Sequence, residues 1–295
     1  MTTVTVVLTT HDRAGLADRA LASVRAQTHQ VDRVIVVDDA SREPYRPPDD
    51  DVTLVRNPVS VGVCAARNRA LSLAATDLVM FLDDDDWLGD DFIAEQLRGL
   101  AQTTLPAPVA GIGTRVFVGG EGAVRRSVAR AYAKGESWLH DIASTAENTL
   151  VAPVSALRAI GGFDEELSSW EHVDLMQRLL EVCSIEHNPG AEYFSPEDDG
   201  IPRLSSSWGK VANAIELTIA KHEDKIRPDR RLRARYLRAA AANHAMADQR
   251  RRALRLALQS VWALPDRRSA KTLAQAVMGP RLFVRAQALA RRLRR

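Results

Sequence analysis

The longest unbroken run of like charge in this 295-residue chain is Asp83-Asp84-Asp85-Asp86. Four carboxylates crowded into a cleft repel one another, and a hard divalent cation carrying a phosphorylated ligand relieves that repulsion. The same four residues also suit a solvated turn that caps the next helix. What precedes them is a continuous apolar run, Leu78-Val79-Met80-Phe81-Leu82, which reads as a buried strand delivering the acids to the carboxyl edge of a sheet. His11, Asp12, Asp38 and Asp39 follow two further apolar runs. In an open parallel sheet the ligand crevice lies outside such ends, so these four are candidate site residues on geometry alone.

The elements that must position these groups follow from periodicity. Val4 to Leu8 and Val34 to Val37 are strand-like. Between them Ala14 to Gln27 repeats apolar residues at Leu16, Ala20, Leu21 and Val24, a helix with one buried face. A short strand at Thr53 to Val55, a helix from Val63 to Ala75 carrying Arg67, the acidic strand and a helix from Asp90 to Gly99 continue the alternation, giving an α/β half-domain of nucleotide-binding type. Beyond Pro106 the pattern predicts a strand over Val109 to Val118, a return strand over Ala123 to Val128, and another strand over Asn148 to Val154. Gly161-Gly162-Phe163-Asp164-Glu165 then permits a sharp turn beside a ligand. Ser168 and Glu171 are spaced as a capping box for a helix running to Val182. Pro189 to Ser207, which carries Arg203 and Ser205 to Ser207, reads as a long loop, of the length that lids and binding loops have. After Trp208 the chain reads as helical, with Leu232, Tyr236 and Ala240 on one apolar face and Leu254, Leu258, Val261 and Trp262 on another.

The net charge of +2 hides a division, for Lys225 onward holds twenty Lys and Arg against three acids and leaves the preceding part strongly acidic. An acidic body suits metal-bridged chemistry and a basic tail suits anionic surfaces. The tail fits either a solvated appendage that packs on the body or pairs subunits in a homo-oligomer, or peripheral contact with an anionic membrane; no interleaved aromatic motif points to nucleic acid. Cys64 and Cys183 are far apart, so reduced thiols and a cytoplasmic setting, with any membrane met from its inner face, are the expectation. No run approaches the length of a membrane span.

Four stretches in order carry a resemblance: Val6-Val7-Leu8-Thr9-Thr10-His11-Asp12-Arg13; Val36-Val37-Asp38-Asp39-Ala40-Ser41; Ala65-Ala66-Arg67-Asn68-Arg69-Ala70 with Phe81 to Trp87; and Gly161 to Glu165 with Glu171-His172-Val173-Asp174. Over residues 4 to 200 the chain resembles the family 2 glycosyltransferases, inverting enzymes of GT-A fold that use nucleotide-diphosphate sugars. The resemblance implies a GT-A domain over residues 1–207 and a basic helical region over 208–295. It implies Thr9, His11, Asp38, Asp39, Arg67, Asp83 and Asp84 on the donor nucleotide, Asp85 with Asp83 on Mn²⁺ or Mg²⁺, and Gly162, Asp164 and Trp170 near the sugar or acceptor. It also implies a UDP-sugar as donor and a glycan or lipid-linked hydroxyl as acceptor. Where many members read Glu-Asp at the late helix, this chain reads Glu171-His172. An imidazole, with an ordinary pKa of about 6.5, can remove the acceptor proton. Three assignments stay open: His172 as base, Glu171 as base, or neither in a non-catalytic sugar-nucleotide or glycan-binding module. A sugar nucleotidyltransferase would want a glycine-rich basic loop where Thr9 to Arg13 stands.

Overall fold

The computed structural model describes residues 1–48, 50–120, 123–127, 129–141, 146–197 and 207–279, and the side chains of these except 146 and 147. They divide into two compact units, one drawn from residues 1–166 and 171–201, the other from 167–170 and 202–295.

The first unit is built on a mixed sheet. Its strands are β1 (Val4–Thr10), β2 (Arg33–Asp38), β3 (Val52–Arg56), β4 (Leu78–Asp83), β5 (Trp87–Leu88), β6 (Val109–Val118), β7 (Val124–Arg126), β8 (Val151–Pro153) and β9 (Ser184–Pro196), in the order β3-β2-β1-β4-β8-β6-β9-β5 with β7 paired to β6. The helices are α1 (Ala14–Arg25), α2 (Val63–Leu73), α3 (Phe92–Gln102), α4 (Val154–Ala159) and α5 (Glu171–Leu179). β1 runs parallel to both β2 and β4, with Thr9 opposite Val37 on one side and Asp83 on the other. That register brings the ends of three apolar strands to one level, so the polar residues after each run share an edge. The strands are apolar on both faces because helices cover both; Val6, Leu8, Val36, Met80 and Leu82 pack with Ala17, Leu21, Phe92 and Tyr193 in one core.

The expected loop from Pro189 is, in its first part, strand. β9 continues to Pro196 beside β6, buries Ala191, Tyr193 and Ser195 at alternate positions, and absorbs its Pro and Gly at a register shift between Ile112 and Thr114. Composition misled there because sheet pairing, not propensity, decides a strand of this kind. Arg203, Ser205 and Ser206 lie outside the described residues. The capping box also fails: α5 starts at Glu171 itself, after Trp170 in a left-handed conformation (φ 62°), so Glu171 opens the first turn and its side chain turns elsewhere.

The second unit holds α6 (Trp208–Lys221), α7 (Glu223–Ile226), α8 (Arg230–Met246), α9 (Arg250–Ala263) and α10 (Arg267–Met278). α8 buries Leu232, Tyr236 and Ala240 as its pattern requires. α9 buries Ala253, Leu256, Ala257 and Ser260 rather than the Leu254, Leu258, Val261 and Trp262 stripe. Small side chains let it approach its neighbours closely, and that wins over the larger apolar area of the other stripe. Among the described residues no helix is long and apolar enough to cross a membrane.

Candidate functional site

β4 ends in the acidic run, and the chain then folds back as β5, whose Trp87 and Leu88 pair with Phe194 and Tyr193 of β9. The turn distributes the four carboxylates unequally. Asp83, Asp85 and Asp86 each place one oxygen so that all three lie within 4.8 Å of one another. Asp84 points apart: it is buried, accepts from Thr10 Oγ1 at 2.9 Å and meets Arg13 Nη1 at 3.2 Å. Burial pushes Asp84 up to about 6 despite those two partners. Burial likewise pushes Asp86 up to about 7, against the pull of Arg115, whose Nη2 lies 3.2 Å away. Asp83 behaves oppositely, for although burial works to raise it, Arg67, His172 and Arg115 hold it below the usual carboxylate range. Three hard oxygen donors gathered so closely are a donor set that fits Mg²⁺ or Mn²⁺.

Arg67 ties this cluster to the late helix. It stands on the buried face of α2, only 3% exposed, with Nη2 2.5 Å from Asp83 Oδ1 and Nη1 3.0 Å from Glu171 Oε1. Glu171 Oε1 is also 3.3 Å from His172 Nδ1. Burial works to raise the Glu171 carboxyl, but the His172 hydrogen bond and charge and the Arg67 guanidinium hold it far below the usual range. Phe163 braces the group from below. Arg67 lies over its ring at 5.0 Å, His172 meets it edge-on at 5.7 Å and Phe81 at 4.9 Å. Asn68, the next residue of α2, fixes Phe163 by donating to its carbonyl and accepting from its N–H, both at 2.8 Å. Gly162 is required beside it, since its φ is 71° and a Cβ would collide with the Asn68 amide.

Several residues expected on ligands are occupied in holding the chain. Asp38, expected on the donor nucleotide, is fully buried and accepts from the Ser41 and Tyr45 N–H groups and from Arg56, which closes the turn after β2. Asp39 accepts from Asn57 Nδ2, Ser60 Oγ and the Val61 and Gly62 N–H groups at 2.7 to 3.0 Å, which orders the loop that begins α2. In both, burial raises the carboxyl but hydrogen bonds win and hold it low. His11 is half exposed at the crevice edge and donates from Nδ1 to the Asp39 carbonyl at 2.7 Å, while Thr9 sits at the strand level of Asp83. Asp12 clamps Arg42 through its N–H and Nε. Gly162 serves through its backbone, accepting from Arg178 Nη1, and Asp164 accepts from the Glu166 N–H within its turn. Trp170 falls in the second unit, where its ring meets Tyr236 edge-on at 6.0 Å, so its observed work is packing.

Three site neighbours escaped sequence reasoning. Asn148 donates to Asp83 Oδ2 at 3.2 Å from a short 3₁₀ turn, Arg115 reaches Asp86 from β6, and Tyr193 from β9 brings its hydroxyl 3.5 Å from the Asp83 nitrogen. Only Arg115 left a signal: a cation inside the apolar run of β6 implies a buried carboxylate partner.

A mixed sheet with an acidic turn at the end of its central strand, and a late helix tied to that turn, is the GT-A fold of nucleotide-diphospho-sugar transferases. Residues 5–136 match the family model "Glycosyl transferase family 2", so the chain carries a family 2 glycosyltransferase domain. It is similar to the pre-mycofactocin glycosyltransferase of Mycobacterium tuberculosis, 33% identical over 244 residues that make up 76% of this chain and 49% of that protein. The chain thus spans about half the length of the curated relatives it matches. The structure of Staphylococcus (S. aureus) TarS 1–349 in complex with UDP-GlcNAc shares the fold at a TM-score of 0.64 and 17% identity, over 92% of this chain and 83% of that one. A crystal structure of S. aureus TarS, at a TM-score of 0.62 and 16% identity, covers 93% of this chain and 52% of that one.

Proposed function

We propose that this chain transfers a sugar, with inversion, from a UDP-linked donor to an acceptor hydroxyl in glycan, cell-envelope or glycoconjugate assembly. The observation that carries the reading is Arg67, which joins the acidic turn to the Glu171–His172 pair in one site. The TarS complex with UDP-GlcNAc supports the choice of donor class.

Asp85 and Asp83, with Asp86 beside them, are the residues that would hold Mn²⁺ or Mg²⁺. A divalent cation bound there supplies positive charge for the departing diphosphate. The protein's own part begins with the proton. A carboxylate only accepts, so the 3.3 Å contact of Glu171 Oε1 with His172 Nδ1 supports a reacting tautomer with its proton on Nδ1 and a lone pair on Nε2. Nε2 takes the acceptor hydroxyl's proton as the oxygen bonds to the anomeric carbon. The bond to the diphosphate breaks on the opposite face, and its electron pair leaves with the UDP. Glu171 then faces an imidazolium whose charge it stabilises. Glu171 is itself a poor base, because its basicity is already consumed by Arg67 and His172.

A thermal-shift screen of nucleotide sugars tests the donor. UDP-linked sugars with Mn²⁺ are expected to raise the melting temperature, by an amount equivalent to about 2.7 kcal/mol at a hundredfold excess over Kd. A response confined to GDP- or dTDP-sugars, or to none, contradicts it.

A further inference from the structure

The apolar stripe that α9 leaves outside is a second feature with chemistry of its own. Leu258 keeps 48% and Trp262 85% of its surface exposed, one turn apart on the same side of the helix. Isolated exposed apolar residues are ordinary, but a paired leucine and tryptophan with small residues doing the packing behind them form a patch that gains from being covered. Followed back along the helix by three and then four residues, the stripe carries Arg255 and Arg251, both exposed. Arg255 meets Glu216 at 2.9 Å yet keeps 60% of its side-chain surface.

The cations extend beyond α9. Arg230 Nε donates to the Ala263 carbonyl at 3.0 Å, which fixes the start of α8 beside the end of α9, next to Trp262. Arg231 and Arg227 are exposed there, and Arg267 and Arg268 open α10 just past the same end. Residues 207–279 hold sixteen Lys and Arg against six acids, so the patch sits in a strongly positive field.

We propose that the Leu258–Trp262 stripe of α9, with the arginines around it, is a docking face for an anionic lipid bilayer. Tryptophan suits the boundary between headgroups and acyl chains, leucine gains from the acyl region, and arginine stems reach back to lipid phosphates. The opposed charges give the attraction that a weakly apolar patch alone lacks. A second copy of the chain fits worse. A symmetric contact through this stripe would bring its arginines against the same arginines of the other copy.

Vesicle co-sedimentation of the 295-residue chain tests the face, using phosphatidylcholine alone and phosphatidylcholine mixed with an equal part of phosphatidylglycerol. Binding is expected to the anionic vesicles only, and to be lost at about 0.5 M salt, where screening shortens to a few Å. Leu258→Ser with Trp262→Ser should weaken it at least about tenfold, as should Arg251→Glu, with unchanged circular dichroism since these side chains are exposed. Absence of anionic binding, equal binding to neutral vesicles, or indifference to these variants overturns the proposal. Tighter binding to a duplex oligonucleotide assigns the face to nucleic acid instead. A dimer that Trp262→Ser converts to monomer, without vesicle binding, assigns it to a second copy.

Discussion

Glu171 and His172 are chain neighbours, the two candidates for the base of the proposed transfer, and they differ in how far they are already engaged. Glu171 is ionised and engaged by His172 and Arg67, which is why the proposal gives the base role to the Nε2 of His172. His172→Ala should therefore lower turnover by about a hundredfold or more while UDP binding persists, as isothermal titration against steady-state rates will show. Glu171→Gln keeps the shape but removes the charge that orients the imidazole, so kcat should fall with a shift in its pH profile and little change in KM for donor. Arg67 is a sharper case because it is buried between two carboxylates. Arg67→Met leaves both without their cation and should cost about 3 kcal/mol in urea unfolding, alongside loss of donor affinity. The sequence marked Arg67 and Asp83 as neighbours of a ligand but not of Glu171, since a bridge across 104 positions leaves no local trace. That the turn sends Asp84 to Thr10 and Arg13 and away from the other three was not legible, because strand alternation says nothing about how a turn splits four like residues.

At the scale of elements, the parallel half of the sheet was legible because its strands are unbroken β-branched runs ending in polar residues, and β1, β2 and β4 appear where those runs stand. β9 was not, since a strand paired on both sides by distant β6 and β5 is defined by its partners. The turn after β2 shows what an aspartate pair does when it serves the fold. Asp38 and Asp39 have folded-state carboxyls held below the ordinary aspartate value by their hydrogen bonds, so the folded state binds fewer protons than the unfolded one in that range. Their stabilisation is present above the ordinary carboxylate range and is lost as pH falls through their lowered values. Asp38→Asn should thus destabilise by about 2 to 3 kcal/mol at neutral pH, with the gap from the parent narrowing in acid. Parallel urea titrations at neutral and acidic pH measure it, and a gap that widens in acid would contradict the assignment.

For the whole molecule, charge and chemistry separate by unit. The acids that matter gather at one edge of the first unit, and the second is dominated by arginine. That division was legible from counting charges along the chain. Which face of α9 would be buried was not, because close packing of alanines against α8 and α10 outweighs the stripe of greater apolar area. The central claim is that one site unites the acidic turn with His172 to cleave a UDP-sugar, and it is tested most directly by UDP release. The purified chain is incubated with UDP-sugars and candidate acceptors in Mn²⁺ and then in EDTA, beside Asp85→Asn and His172→Ala. Metal-dependent UDP release with product of inverted anomeric configuration, lost in EDTA and in both variants, is the predicted result. UDP release that persists in EDTA, or that survives both substitutions unchanged, would contradict it.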